Sequence, residues 1–166
     1  MDLEALFVNF QSSAFRLEGL PTYRVPGEDL AFASFLKQGT IPAGFNAPWV
    51  ALVEDFLAEG KTVNRLRLLS ESLTDYESFE VQAYEAGLRV GEKIRVAPRI
   101  DCAYESDFWF FDGKWIAWMN YLSDGSFQGA EVSTASASEI KVVEQWLRVF
   151  ENSPNLRDVY ACTHQA

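Results

Sequence analysis

The sequence predicts an α/β (α+β) fold: a mixed sheet with a parallel crossover followed by a three-stranded antiparallel meander, with helices packed on the sheet. Three observations carry this reading. Residues 62–69 and 93–97 are short, strand-like apolar runs with helix-capping signals between them, and that order favours a right-handed parallel crossover. Residues 107–132 hold three apolar runs divided by Asp112-Gly113 and Asp124-Gly125, and Asp-Gly between such runs is the strongest short hairpin signal. Helical spacing recurs before and after these strands, most clearly in Trp49, Leu52, Val53, Phe56 and Leu57.

Taken in order, Leu3, Leu6, Phe7 and Phe10 predict a short amphipathic helix over 3–10. Residues 13–18 alternate Phe15 and Leu17 with Arg16 and Glu18, which suggests an extended segment or edge strand. Leu30, Phe32, Phe35 and Leu36 predict a helix stopped by Gly39. The next helix has Pro48 in its first turn and Gly60 at its end. Ser72-x-x-Asp75 and Thr74-x-x-Glu77 are overlapping capping boxes, so a helix starts at one of them and runs to about Tyr84. Gly87 and Gly91 bracket a turn before the 93–97 strand. Ser136-x-x-Glu139 caps a last helix with Ile140, Val143, Trp146, Leu147 and Phe150 on its core stripe, and the tail from Asn155 is weak helix or coil. With no internal repeat or linker, residues 1–166 are expected to form a single domain: a mainly helical N-terminal region over residues 1–60, a sheet-rich core over 61–134, and a C-terminal helix and tail over 135–166. The sheet is expected to have about five strands.

Composition narrows the function classes. A chain of 166 residues can bury roughly 70% of its unfolded surface without a metal or disulfide staple. Thirteen Phe and five Trp supply a dense core. The net charge of −10 repels nucleic acid and anionic membranes, so neither is an expected partner. Two cysteines, Cys102 and Cys162, lack a C-x-x-C spacing, and His164 is the one histidine; zinc fingers and Cys/His catalysis are excluded, and no metal or cofactor is expected. Acids in the first residues and no apolar run approaching ~18 residues predict a cytoplasmic protein. Phosphate-binding glycine loops and a G-x-S-x-G elbow do not occur.

The chemistry concentrates in residues 65–80, R-L-R-L-L-S-E-S-L-T-D-Y-E-S-F-E. On a strand, Arg65 and Arg67 share one face while Leu66 and Leu68 take the other. Charged groups at the carboxyl end of a strand stand where open α/β sheets bind ligands. Glu71, Asp75 and Glu80 could hold a cation or act as acid and base, Glu71 and Asp75 sharing a helical face at four-residue spacing. They equally suit capping and dipole roles at a helix start. The arginines could bind an anion through bidentate contacts or pair internally with the acids. Asp107, Phe108 and Trp109 open the meander, and with Trp115 and Trp118 they form either a pocket wall or an aromatic core.

The segments S-A-F-R-L-E at 13–18, V-N-R-L-R-L-L-S-E-S-L-T-D-Y-E-S-F-E at 63–80, A-G-L-R-V-G-E-K-I-R-V at 86–96 and D-F-W-F-F-D-G-K at 107–114 resemble an actinobacterial family of small domains of unknown function, often encoded beside helix-turn-helix regulators. The residues which that resemblance singles out are Arg16, Glu18, Arg67, Ser70, Glu71, Asp75, Tyr76, Glu80, Asp107, Phe108 and Asp112. Ser72 stands where the family usually has proline. At fold level the element order also resembles half of a phospholipase D-type domain, whose signature is His-x-Lys followed by Asp. The corresponding strand here, 107–112, has no histidine, so the resemblance implies that the family's phosphotransfer chemistry is missing.

Two functions are expected from these residues. One is a non-catalytic regulatory module that binds a small anionic molecule or a partner protein through Arg16, Arg67, Ser70, Glu71, Asp75, Tyr76, Asp107 and Trp109. The other is a small enzyme of specialised metabolism with Glu71 or Glu80 as general base, Tyr76 as proton donor and Arg67 as anion clamp.

Overall fold

The computed structural model describes residues 1–99 and 104–160. Six strands form one mixed sheet in the order β3-β2-β1-β4-β5-β6. The strands are β1 (Ser13–Glu18), β2 (Thr62–Leu69), β3 (Lys93–Pro98), β4 (Phe108–Phe111), β5 (Trp115–Tyr121) and β6 (Phe127–Thr134). β1, β2 and β3 run parallel, while β4 pairs antiparallel with β1 and continues into the meander. The first hairpin loop spans residues 112–114, between the paired Phe111 and Trp115, and turns on the positive φ of Asp112 (53°) and Gly113 (66°), with the Lys114 N–H donating to the Phe111 carbonyl at 2.9 Å.

The 13–18 segment lies at the centre of the sheet, between β2 and β4, instead of at its edge. Its alternation of apolar and charged residues reads as half-solvated, yet Arg16 and Glu18 are buried because other charges on the same face pair with them. This strand is the one the five-strand expectation underweights, and it lies within the region expected to be mainly helical.

The two faces of the sheet differ. Phe15, Leu17, Leu66, Leu68, Phe108, Phe110 and Ile116 make an apolar face, covered by Val143, Trp146 and Phe150 of the helix α6 (Ala137–Asn152). The opposite face carries Ala14, Val63, Trp109, Phe111 and Ala117 at one end and the charged residues of β1 and β2 at the other. Over it pack α1 (Leu3–Asn9), through Leu6, and α3 (Ala47–Ala58), through Phe56. Helices α2 (Asp29–Gln38) and α4 (Asp75–Ala83) pack together through Ala31, Tyr76 and Phe79. The turn expected near Gly87 is a short helix, α5 (Glu85–Val90), ended by Gly91 in the left-handed conformation. The tail forms one helical turn, α7 (Leu156–Val159).

Candidate functional site

Strand register builds the site. Arg65, Arg16 and Trp109 lie side by side across β2, β1 and β4, and Arg67 lies beside Glu18 in the next row. Adjacent strands are ~4.8 Å apart, so two arginines in one row repel unless acids stand between or above them. Glu18 Oε1 does this, accepting from Arg16 Nε at 3.3 Å and Arg65 Nη1 at 2.5 Å.

The surrounding elements supply the other acids. Asp107, just before β4, accepts from Arg16 Nη2 at 2.9 Å, the Tyr23 hydroxyl at 2.6 Å, the Gly19 N–H at 2.9 Å and the Tyr104 hydroxyl. Glu92, after α5, accepts from Arg65 Nε at 2.9 Å and from the Trp49 indole N–H at 3.0 Å. A Cβ on Gly87 would collide with Glu92 Oε2, so that position needs glycine for the carboxylate to lie down on α5. Glu80, on α4, accepts from both Nε and Nη2 of Arg67. Arg67 also donates to the carbonyls of Leu68 at 2.9 Å and Leu20 at 2.8 Å, and it is 0% exposed. Aromatic rings complete the packing: the Arg65 guanidinium lies 5.7 Å from Trp49, 5.2 Å from Tyr84 and 5.8 Å from Trp109.

Burial and pairing act in opposite directions on these groups. Burial alone would favour neutral arginines, but Asp107 and Glu18 for Arg16, Glu18 and Glu92 for Arg65, and Glu80 for Arg67 hold all three charged. Burial pushes the Glu18 carboxyl up, and Arg65, Arg16 and Arg67 reverse that and hold it below the usual carboxylate range. For Glu80 burial wins. It and the nearby Glu18 charge outweigh Arg67 and push Glu80 up to about 7. The Tyr23 and Tyr84 phenols are raised by burial and nearby acids, so they stay protonated as donors.

A cavity of about 510 Å³ opens over this network, lined by Arg16, Glu18, Glu28, Trp49, Arg65, Tyr76, Glu80, Tyr84, Glu92 and Tyr121 among others. In its wall Arg16 Nη1 is buried and has no hydrogen-bond partner among the described residues. Arg65 uses Nε and Nη1 on acids, leaving Nη2 without an acceptor among them. In the same lining, Glu28 Oε2 accepts the Tyr76 hydroxyl at 2.7 Å. A wider groove of about 930 Å³ lies between residues 40–46, α4, α5 and the Val159–Tyr160 end, but none of the buried ionised groups lines it. Among the described residues no group of His, Cys, Asp and Glu is placed to hold a metal, and no helix is long and apolar enough to cross a membrane.

A family model described as "Domain of unknown function (DUF6879)" matches residues 1–159. The chain belongs to this family. Among curated proteins no relative matches it. Among solved structures it is similar to a phospholipase D family member, nuc from Salmonella typhimurium, at 9% identity and a TM-score of 0.54, over 91% of this chain and 86% of that one. At that identity the likeness concerns the fold alone. The strand β4, which the sequence reading set against that family's signature, is a buried aromatic row from Phe108 to Phe111.

Within this DUF6879 domain, the residues singled out from sequence do not all come together. Arg16, Glu18, Arg67, Glu80, Asp107 and Trp109 meet on the charged face. Tyr76 joins from α4 by donating to Glu28, although its ring belongs to the α2–α4 packing. Ser70 stands apart with Glu77, donating to it through N and Oγ at 3.0 Å each, and it accepts from Arg99. Glu71 and Asp75 are exposed. They do not share a helical face, because Thr74 caps α4 and Glu71 precedes the helix. Asp112 caps the start of β1, accepting from the N–H groups of Gln11, Ser12 and Ser13, and Phe108 is core. Cys102, Cys162 and His164 lie outside the described residues.

Sequence reasoning missed Glu92, Tyr84, Tyr23 and Glu28 as site residues. Only Glu92 left a signal, an acid directly after a helix-ending glycine and before an apolar strand. The others depend on how the crossover helices cover the sheet.

Proposed function

We propose that this domain is a non-catalytic binding module that holds a small polar molecule in the cavity over β1 and β2 and presents the bound state to a partner protein. Arg16 carries the proposal: a buried guanidinium, fixed by Asp107, Glu18 and Tyr121, with one nitrogen unpaired in a cavity wall. An unsatisfied buried donor costs ~1–3 kcal/mol, and an acceptor on a ligand removes that cost. The cavity falls in the size range of small-molecule sites, and the ion network holds the arginines in place before any ligand arrives. The actinobacterial cytosol and a neighbouring transcriptional regulator, implied by the sequence resemblance, are the setting assigned in this reading.

The test is metabolite capture from a bacterial extract, read by native mass spectrometry. A discrete adduct is expected on the wild type. Retention should fall at least tenfold in Arg16→Lys, which keeps a charge beside Asp107 but loses the second guanidinium nitrogen, and in Val25→Trp at the cavity rim. No adduct on the wild type, or equal retention by both variants with folding intact, removes the reading.

One observation favours a second reading, an enzyme. Glu80 is pushed up to about 7 in the cavity wall, beside the Tyr84 hydroxyl at 3.3 Å, and a carboxyl near neutrality suits general acid–base work. Of the two acids expected as the base, Glu71 or Glu80, this reading takes Glu80, which lines the cavity, and not the exposed Glu71. Conversion of the captured molecule by the wild type and its loss in Glu80→Gln would favour the enzyme; recovery of the molecule unchanged keeps the binding module.

A further inference from the structure

The charge distribution around the cavity narrows the class of ligand. Two guanidinium groups, Arg16 and Arg65, line it together with four carboxyl groups, Glu18, Glu28, Glu80 and Glu92. Behind the wall Arg67 and Asp107 add one charge of each sign. Every guanidinium is therefore already matched by an acid: Arg16 by Asp107, Arg65 by Glu18 and Glu92, Arg67 by Glu80. The surplus is acidic, and it is most local at Glu28. That carboxyl is half-buried, takes one hydrogen bond from Tyr76 through Oε2, and has no cation beside it among the described residues.

An anion entering this cavity would find its arginines already matched in charge and meet the free Oε1 of Glu28, the one lining carboxyl oxygen without a partner among the described residues, whereas a cation would relieve the surplus. The aromatic rings in the wall, Tyr23, Tyr76, Tyr84 and Trp49, suit a cation as well, through their negative faces. Arg16 Nη1 separately requires an acceptor oxygen. We infer that the ligand is a small organic cation, an amine or amidine that also carries one hydroxyl or carbonyl oxygen, with the nitrogen at Glu28 and the oxygen at Arg16 Nη1. This rests on the ligand-site reading above and replaces the anionic ligand that the arginines alone suggest. Burial together with the charges of Glu18 and Asp29 pushes the Glu28 carboxyl up, even against the Tyr76 hydrogen bond, as expected of an acid short of a cation.

Three probes of similar shape separate the charge states: tyramine, 4-hydroxyphenylacetamide and 4-hydroxyphenylacetate. Their binding is measured by the shift of the Trp49 indole N–H resonance in the wild type and in Glu28→Gln, which keeps an acceptor for Tyr76. Tyramine is expected to bind at least tenfold tighter than 4-hydroxyphenylacetate, and Glu28→Gln to abolish most of that preference. Equal or tighter binding of 4-hydroxyphenylacetate overturns the cation assignment while leaving the pocket in place. Equal tyramine affinity in both proteins overturns the role of Glu28. If none of the three shifts Trp49 at millimolar concentration, the cation inference fails; the pocket itself stands or falls by the extract experiment, which assumes nothing about charge.

Discussion

Replacing Arg67 with Met separates structure from ligand binding most sharply, because the side chain is 0% exposed and fully engaged. The change removes two hydrogen bonds to Glu80 and one each to the carbonyls of Leu68 and Leu20. Breaking one partner out of a buried ion pair costs ~3–5 kcal/mol, and an abandoned buried carbonyl ~1–3 kcal/mol. These costs share one site and do not add. The ion-pair contribution depends on pH, because it acts on ionised Glu80, whose carboxyl is pushed up to about 7. At pH 8 the loss should reach about 3–5 kcal/mol, a fall in melting temperature of roughly 6–20 °C for a domain of this size. At pH 5 Glu80 is protonated in both proteins, and only the carbonyl contribution, about 1–3 kcal/mol, remains. Urea unfolding of both proteins at the two pH values measures this. A loss under ~1 kcal/mol at pH 8, or the same loss at both, would refute the argument that Arg67 is an internal partner of Glu80.

Four further outcomes follow from the same network. Wild-type stability should fall as pH rises from the ordinary glutamate value of 4.5 towards about 7, because folded Glu80 holds its proton where the unfolded chain has lost it. The span corresponds to about 3 kcal/mol, with Glu28 acting in the same direction; Glu80→Gln should flatten the slope in thermal melts, and below the ordinary value Glu18, held low, should reverse it. Asp107→Asn, at an acid with four donors around it, should cost ~3–5 kcal/mol by urea unfolding. Thr74→Ala, which removes the α4 cap, should cost about 1 kcal/mol in the same assay. Glu71→Ala and Asp75→Ala, at exposed positions, should each stay within ~0.5 kcal/mol and leave metabolite capture unchanged.

Local signals were legible in the sequence, and long-range pairing was not. The Asp-Gly turns, the Thr74 and Ser136 capping boxes and the shared face of Arg65 and Arg67 each depend on neighbours within a few residues, and the structure contains all of them. Residues 13–18 misled because alternation shows that two faces differ, without showing whether the polar face meets water or other charges. Arg16 and Glu18 meet Arg65, Arg67 and Asp107, which come from far along the chain. The acids after Ser70 misled for a related reason. Glu71 and Glu77 are both plausible from composition, but only the choice of Thr74 as cap turns Glu77 inward, where it is 0% exposed, and leaves Glu71 outside. The cavity was illegible, since its walls come from the loop before α2, α3, α4 and the residue after α5.

The central claim, that the charged face of β1 and β2 is the wall of a ligand site, is tested most directly by nitrogen-15 spectra of the arginine side chains during titration with the molecule captured from extract. The Arg16 and Arg65 guanidinium signals should shift with bound ligand, while Arg95, tied to the Phe150 and Glu151 carbonyls, stays fixed. A captured molecule that leaves Arg16 and Arg65 unmoved and perturbs Ile41 and Val159 in the wider groove would contradict it.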